Sequence, residues 1–252
     1  MKLCTFEIQT PRGPELRPGA VTERGMVDLT TTVPRLPSSV LGILEAGALR
    51  EARAAVDGAL SDETGTILNP ANIRLRTPIS RPPSVRDFYA FEAHVKKGFE
   101  KRGEAMPKEW YEIPVYYRSG NHNIIGTDED VLWPRFTEKF DYELELAAVI
   151  GKRGTNVATA DEVGDPYNLT MTARINGEEW SRGNSGSIYW KFEQMIEFLT
   201  MDDTVFPGDV IGSGTVGTGC GLELDRWVRP GDVMELEIEK IGVLRNRVVK
   251  RT

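Results

Sequence analysis

Phe140-Asp141-Tyr142-Glu143-Leu144-Glu145-Leu146-Ala147-Ala148-Val149-Ile150-Gly151 reads as one strand whose character changes along its length. Alternation places Glu143 and Glu145 on one face and Tyr142, Leu144 and Leu146 on the other. Carboxylates side by side on a strand repel each other unless water or a cation relieves them. The chain contains its own control, because Glu235, Glu237 and Glu239 alternate in the same way. Alternation therefore does not separate a solvated face from a cation site. The flanks differ, however. Glu143 and Glu145 enter the apolar run Leu146 to Ile150, which predicts a strand buried on both sides, whereas the 235–239 segment meets Lys240 near the C-terminus.

The rest of the composition narrows what such a strand could hold. The chain has 252 residues and a formal net charge of −7, with 40% hydrophobic residues, 25 Gly and 15 Pro, the profile of a strand- and turn-rich globular protein. It carries neither a nucleic-acid electrostatic footprint nor the signature of disorder. Two cysteines, Cys4 and Cys220, build no disulfide framework, and with only His94 and His122 most histidine-based metal sites are excluded. A bound metal would be held by oxygen, which points to Mg²⁺, Ca²⁺ or Mn²⁺. Glu7 comes too early for a signal peptide, and no apolar run reaches membrane-spanning length. The expectation is a cytoplasmic protein with no membrane and no nucleic-acid partner.

Along the chain, residues 2–9 and 19–30 read as strands, residues 38–60 as a helix, and 74–84 as a proline-punctuated passage. That passage divides a small N-terminal region, 1–78, from the remainder, 79–252. A helix is predicted from Val85 to Lys101, then strands at 131–133, 141–151, 167–176, 233–239 and 242–249. Pro207-Gly208-Asp209-Val210 and Pro230-Gly231-Asp232-Val233 read as two β-turns, each launching a strand. On the predicted helix Asp87 and His94 would share a face, the plain reading being an N-cap and a surface histidine. Gly212, Gly214 and Gly217 satisfy G-x-G-x-x-G, but five glycines in residues 212–221 do not open a stable helix. The dinucleotide reading is rejected in favour of a loop whose backbone approaches a ligand, with Leu222-Glu223-Leu224 as strand. Tyr116 and Tyr117 read as packing residues, His122 as exposed, and Met195 and Met201 as core gap-fillers. A Cys220–histidine nucleophile is disfavoured.

Taken in order, these pieces resemble the fumarylacetoacetate hydrolase family from about Arg81 to the C-terminus. The likeness rests on Asp87-Phe88-Tyr89 with His94, and on Glu138-Lys139-Phe140-Asp141-Tyr142-Glu143-Leu144-Glu145 leading into Val149-Ile150-Gly151. It continues through Arg174-Ile175-Asn176-Gly177-Glu178, Pro207-Gly208-Asp209-Val210, Gly214-Thr215, Gly221-Leu222-Glu223-Leu224 and Ile241-Gly242-Val243-Leu244-Arg245-Asn246. The resemblance implies an α+β, β-rich fold: a mixed β-roll or β-sandwich catalytic domain beside a small N-terminal α+β region, assembled as a homodimer. It implies one divalent cation, Mg²⁺ before Ca²⁺ or Mn²⁺, on Glu143, Glu145 and a helix-borne Asp87. His94 matches the general base, Glu223 the carboxylate that orients it, and Tyr89, Arg102, Tyr117 and Thr215 the substrate contacts.

The implied reaction is hydrolytic cleavage of a C–C bond in a small 1,3-dicarbonyl or acylpyruvate-type acid, through a metal-stabilised enolate and water activated by His94. Decarboxylation, isomerisation or hydration of 2-oxo acids in aromatic catabolism is the alternative, as is a non-catalytic degenerate paralogue. One departure bears on the last. The family's Asn-Asp-x-Ser-x-Arg-Asp segment, with a further metal-binding Asp, and its Gly-Lys-x-Phe segment, with a catalytic Lys, have no counterpart here. The chain is expected to be shortened internally at two places, near Thr30 to Pro34 and near 164–167. Either these are segments of a longer chain closed up in this sequence, or a ligand and a lysine are lost.

Overall fold

Pro11-Arg12 turns the chain between β1 (Lys2–Thr10) and β2 (Gly13–Thr22), which pair antiparallel from Lys2↔Val21 to Thr10↔Gly13. The computed structural model describes residues 1–61, 65–157 and 165–250. The predicted 19–30 strand is divided, its second half being β3 (Gly25–Asp28) after a turn. Asp28 then ends the strand, since its carboxylate accepts the Thr30 and Thr31 N–H groups and caps the one-turn helix α1 (Leu29–Thr32). The backbone therefore turns continuously through the 30–34 region. The predicted 38–60 helix is two helices, α2 (Val40–Glu45) and α3 (Leu49–Ser61), broken where Gly47 takes φ +63°. With β4 (Ile67–Leu68) and β5 (Arg74–Arg76) these complete a five-stranded sheet of order β4-β3-β2-β1-β5.

Beyond it, Val85 to Lys101 is not one helix. Val85-Arg86-Asp87-Phe88 forms β6 (Val85–Phe88), and the helix α4 (Glu92–Arg102) begins only after Phe91. Two prolines, Pro82 and Pro83, favour extended backbone before Ser84, and β-compatible Val85 and Phe88 continue it into the sheet. Lys101 and Arg102 in the last turn and a left-handed Gly103 end α4. Next come β7 (Tyr116–Ser119), β8 (Asp130–Leu132), β9 (Glu143–Val149), β10 (Gly154–Thr155), β11 (Thr170–Ile175) and β12 (Glu178–Asn184). The chain closes with α5 (Phe192–Leu199), β13 (Thr204–Val205), β14 (Val210–Cys220), α6 (Gly221–Leu224), β15 (Val233–Ile238) and β16 (Gly242–Val249).

Two sheets, β12-β11-β15-β16-β8 and β7-β6-β14-β9, share one core built on Leu144, Leu146, Met171, Met195, Phe192, Ile211 and Val216. This is the expected strand-rich α+β architecture. Both Pro-Gly-Asp segments are turns of one design: Asp209 accepts the Phe206 N–H and Asp232 the Arg229 N–H, ahead of β14 and β15.

Three expectations change here. The 141–151 strand is not buried on both sides, because β9 is an edge strand with Val149 48% exposed. The glycine-rich segment is not a loop but β14, almost wholly buried between β6 and β9. Its glycines fit where neighbouring backbone crowds in: a Cβ on Gly214, at φ +76°, would lie 2.3 Å from the Phe88 carbonyl oxygen. Leu222-Glu223-Leu224 is helix rather than strand. Met195 is fully buried as expected, whereas Met201 lies just past the end of α5 and is exposed.

Candidate active site

β14 runs parallel to β6 and antiparallel to β9, so Gly212 sits between Asp87 on one neighbour and Ala147 on the other. Asp87 belongs to this strand, not to a helix, which corrects the sequence-based placement. Across the missing side chain of Gly212 the carboxylates converge: a Cβ there would stand 2.9 Å from Asp87 Oδ1 and 3.1 Å from Glu145 Oε2. Asp87, Glu143 and Glu145 each offer an oxygen within 4.8 Å of the others. Burial raises all three carboxyl pKa values, that of Glu145 the most, and the Asp87 and Glu143 charges push Glu145 further. Glu145 receives the Gly214 N–H at 3.2 Å and the Thr215 hydroxyl at 3.4 Å. Asp87 Oδ1 is buried without a hydrogen-bond partner. Three crowded carboxylates, Asp87 and Glu145 half-buried and Glu143 open to solvent, with one unpartnered buried oxygen, form an all-oxygen donor set that fits a hard divalent cation.

His94 is the third residue of α4 and is 6% exposed. Its Nδ1 lies 2.6 Å from Glu223 Oε1, and the Thr218 N–H donates to Glu223 Oε2 at 2.8 Å. Burial works to raise the Glu223 carboxyl, but its bonds to His94 and Thr218 outweigh burial and leave it below the ordinary value. The one-turn helix bearing Glu223 is pinned by Asp141, which accepts the Gly221 and Leu222 N–H groups at 2.6 Å each. Cys220 adds a thiol 3.6 Å from Glu223 Oε1.

The carboxylates and His94 line one cleft of about 280 Å³, together with Tyr89, Tyr117 and Thr215. Tyr89 stands edge-on to the imidazole at 5.2 Å between centroids. Tyr117 pairs with Asp87 across β6 and β7 and is 73% exposed, so it stands at the mouth and does not pack as expected, whereas Tyr116 does pack, its ring 5.1 Å from that of buried Phe88. Arg102 does not line the cleft: its guanidinium lies over Phe99 and bonds Glu104 at 3.0 Å, near the Tyr89 hydroxyl at the rim. No lysine or arginine is among the described residues lining the cleft. A larger hollow of about 630 Å³ lies against the N-terminal sheet, but its Arg17 and Arg76 are already paired with acids and it holds none of the convergent groups.

The functional contacts that the sequence reading missed are Asp141, Gly212, Thr218 and Cys220. Asp141 carries a signal of its own, a third acid two residues before Glu143 in the alternating Asp-x-Glu-x-Glu run. The others meet the site only through the register of β14.

The family model described as fumarylacetoacetate (FAA) hydrolase C-terminal matches residues 84–161 and 154–249, which covers most of the chain. The chain belongs to the fumarylacetoacetate hydrolase family. It is an enzyme of a family whose named members include hydrolases, isomerases and tautomerases. The mitochondrial oxaloacetate tautomerase FAHD2A of Homo sapiens is 26% identical over 300 residues, covering 99% of this chain and 92% of the relative. The Bos taurus protein of that name is 25% identical over 298 residues, so at least 46 of those positions have no counterpart in a chain of 252. The fold is also that of fumarylacetoacetate hydrolase from Exiguobacterium antarcticum, with TM-score 0.76, 20% identity and coverage of 99% and 100%. Maleylpyruvate hydrolase from Sphingobium sp. SYK-6, solved with manganese(II) and pyruvate, gives TM-score 0.75, 20% identity and full coverage of both chains. The two family-model stretches meet at 154–161, beside the expected shortening near 164–167; residues 158–164 lie outside the described residues. Among the described residues no helix is long and apolar enough to cross a membrane.

Proposed function

We propose that this protein is a divalent-cation-dependent hydrolase cleaving a C–C bond in a small 1,3-dicarbonyl or acylpyruvate-type acid. The observation that carries this is the joint opening of the Asp87-Glu143-Glu145 cluster and the Glu223-held His94 into one cleft. Asp87, Glu143 and Glu145 would hold the cation, Mg²⁺ first and Mn²⁺ or Ca²⁺ otherwise. When bound, it supplies Lewis-acid stabilisation of the negative charge that develops on a chelating 2-oxo acid. Glu223 accepts the Nδ1 proton of His94, which fixes the tautomer whose Nε2 is the free base. Nε2 takes a proton from water as the water oxygen bonds to the distal carbonyl carbon. The C–C bond then breaks, its electron pair passes to the carbon beside the 2-oxo group, and the imidazolium returns the proton there. Tyr89 and Thr215 would orient the substrate, with Tyr117 at the mouth and Arg102 at the rim. A homodimer is the assembly proposed.

The whole-chain relatives named oxaloacetate tautomerase favour a second reading, keto–enol isomerisation of a 2-oxo acid. There His94 would move a proton between carbon and oxygen without adding water. Parallel assays of acylpyruvate hydrolysis and oxaloacetate tautomerisation, with Mg²⁺ or Mn²⁺ and with chelator, decide between them. The expected result is metal-dependent hydrolysis that His94→Ala lowers by about 10²- to 10⁴-fold while metal affinity is kept. Hydrolysis indifferent to His94→Ala sinks the mechanism, and tautomerisation alone replaces the reaction. No turnover on either substrate leaves the degenerate-paralogue alternative.

A further inference from the structure

The dyad has a third member that the mechanism does not use. Cys220, the last residue of β14, is 1% exposed, and its Sγ lies 3.6 Å from Glu223 Oε1 and 4.0 Å from His94 Nδ1. These three atoms come from three elements, β14, α6 and α4, and all lie within 4.8 Å of one another. Glu223 Oε2 is tied to the Thr218 N–H, so Oε1 is the oxygen toward which both His94 and Cys220 point.

We propose that His94, Cys220 and Glu223 form a second cation site, selective for a borderline or soft divalent ion such as Zn²⁺, whose occupation silences the base. The donor chemistry separates it from the carboxylate cluster. Imidazole and thiolate suit zinc, whereas an all-oxygen set suits magnesium or calcium. Tetrahedral zinc with Zn–S near 2.3 Å and Zn–N near 2.0 Å sets neighbouring ligand atoms about 3.3–3.6 Å apart. The Sγ separations, 3.6 and 4.0 Å, already approach this spacing, and only the 2.6 Å Nδ1–Oε1 pair has to open. His94 forms part of the cleft wall, and Cys220 and Glu223 lie behind it.

The proton balance explains the inhibition. In the resting dyad Nδ1 carries the ring proton and donates it to Glu223. When the ion binds, that proton moves to Nε2 and the Nδ1 lone pair ligates. The thiol proton leaves to solvent and the thiolate ligates, while Glu223 remains a carboxylate. The imidazole stays neutral, but its Nε2 now bears a hydrogen and no longer accepts one from water. Burial raises the Cys220 thiol, so binding of the ion is coupled to release of that proton.

The silencing effect rests on the proposed role of His94; ion binding does not, and the test keeps them apart. With saturating Mg²⁺ and no substrate, Co²⁺ is titrated into the full chain. A thiolate-to-cobalt charge-transfer band in the near ultraviolet is expected, displaceable by Zn²⁺. It should be lost in Cys220→Ser and Cys220→Ala and kept in Cys4→Ser. In the unmutated protein the ring ¹⁵N shifts of His94 should move to the Nε2–H tautomer on adding Zn²⁺, a readout needing no variant. Zn²⁺ should also inhibit turnover at least tenfold less potently in Cys220→Ser, each protein referred to its own zinc-free rate. Absence of the band, its survival in both Cys220 variants, or unmoved His94 shifts overturns the proposal. A band with no turnover upholds the site and removes the hydrolase reading, whereas turnover with no band does the reverse.

Discussion

Glu143 and Glu145 on β9 and Glu235 and Glu237 on β15 stand two residues apart on adjacent turns of the pleat, and their surroundings are opposite. Glu235 is flanked in register by Arg174 of β11 and Arg245 of β16. Glu237 takes a hydrogen bond from Arg174 at 2.7 Å, and Glu239 accepts the Thr170 N–H. Among the described residues β9 is an edge strand with a single neighbour, β14, which sets Thr215 opposite Glu145 and Cys220 opposite Glu143. The charges that act on Glu145 are then other acids, Asp87 above all, while Glu143 also faces His94. The same alternation thus gives a neutralised outer face where cross-strand arginines stand guard, and a cation-seeking cluster where a glycine does. What decides is register, not alternation.

The comparison breaks most visibly at Glu145. Glu145→Gln should weaken divalent-cation binding by at least about 100-fold in calorimetry, beyond the loss from removing an outer-shell partner. The same change should raise the melting temperature of metal-free protein, because it removes one of the mutually repelling buried charges. Unchanged cation affinity would mean that β9 is another solvated strand after all.

A second test titrates the cluster. The Asp87, Glu143 and Glu145 carboxyls are raised in the folded state, so the fold holds protons that the unfolded chain releases. Their contribution is fully present below the ordinary values, 3.8 for Asp and 4.5 for Glu, and is lost as pH rises through the higher folded values. Metal-free protein should therefore melt at lower temperatures as pH climbs through that window, and saturating Mg²⁺ should reverse the trend. Glu235→Gln with Glu237→Gln should leave this dependence in place. A melting profile that ignores Mg²⁺ at every pH contradicts the cation assignment.

The smallest effect belongs to β15. Arg174 and Glu237 are 30% and 40% exposed, so solvent screens their pair. Arg174→Gln should cost no more than about 1 kcal/mol in urea unfolding and should not touch cation affinity. A change in that affinity would show the two strands to be coupled.

How far the sequence carried this distinction follows from the same physics. The strand-rich class and the two Pro-Gly-Asp turns were legible because turn chemistry and alternation are local. Glu143 and Glu145 are legible as a pair, whereas local spacing places their partner Asp87 on a helix. Apolar spacing across 85–101 spans a strand and a helix without a break that composition reveals. Glycine usually marks a loop, so local pattern points away from a strand at β14; here small residues are required where Asp87 and Glu145 meet and where Phe88 passes. Arg174, Arg245, Asp141 and Cys220 act across strands, and no local pattern encodes which residues face each other across a ladder.

β14 also works as a ruler. Gly212 marks the floor under the carboxylates, Gly214 and Thr215 hold Glu145, Thr218 holds Glu223, and the strand runs straight into the helix that carries Glu223. The extra residues between its ladder pairs, at Gly212/Thr215 and Thr215/Cys220, set the distance from one mark to the next. Side-chain chemistry can drift at many points of the cleft and be compensated nearby. A change in the count of residues between Gly212 and Glu223 cannot, because it would move the acid cluster and the base out of step at once. Descendants of this chain should tolerate new letters along that segment far more readily than a new length.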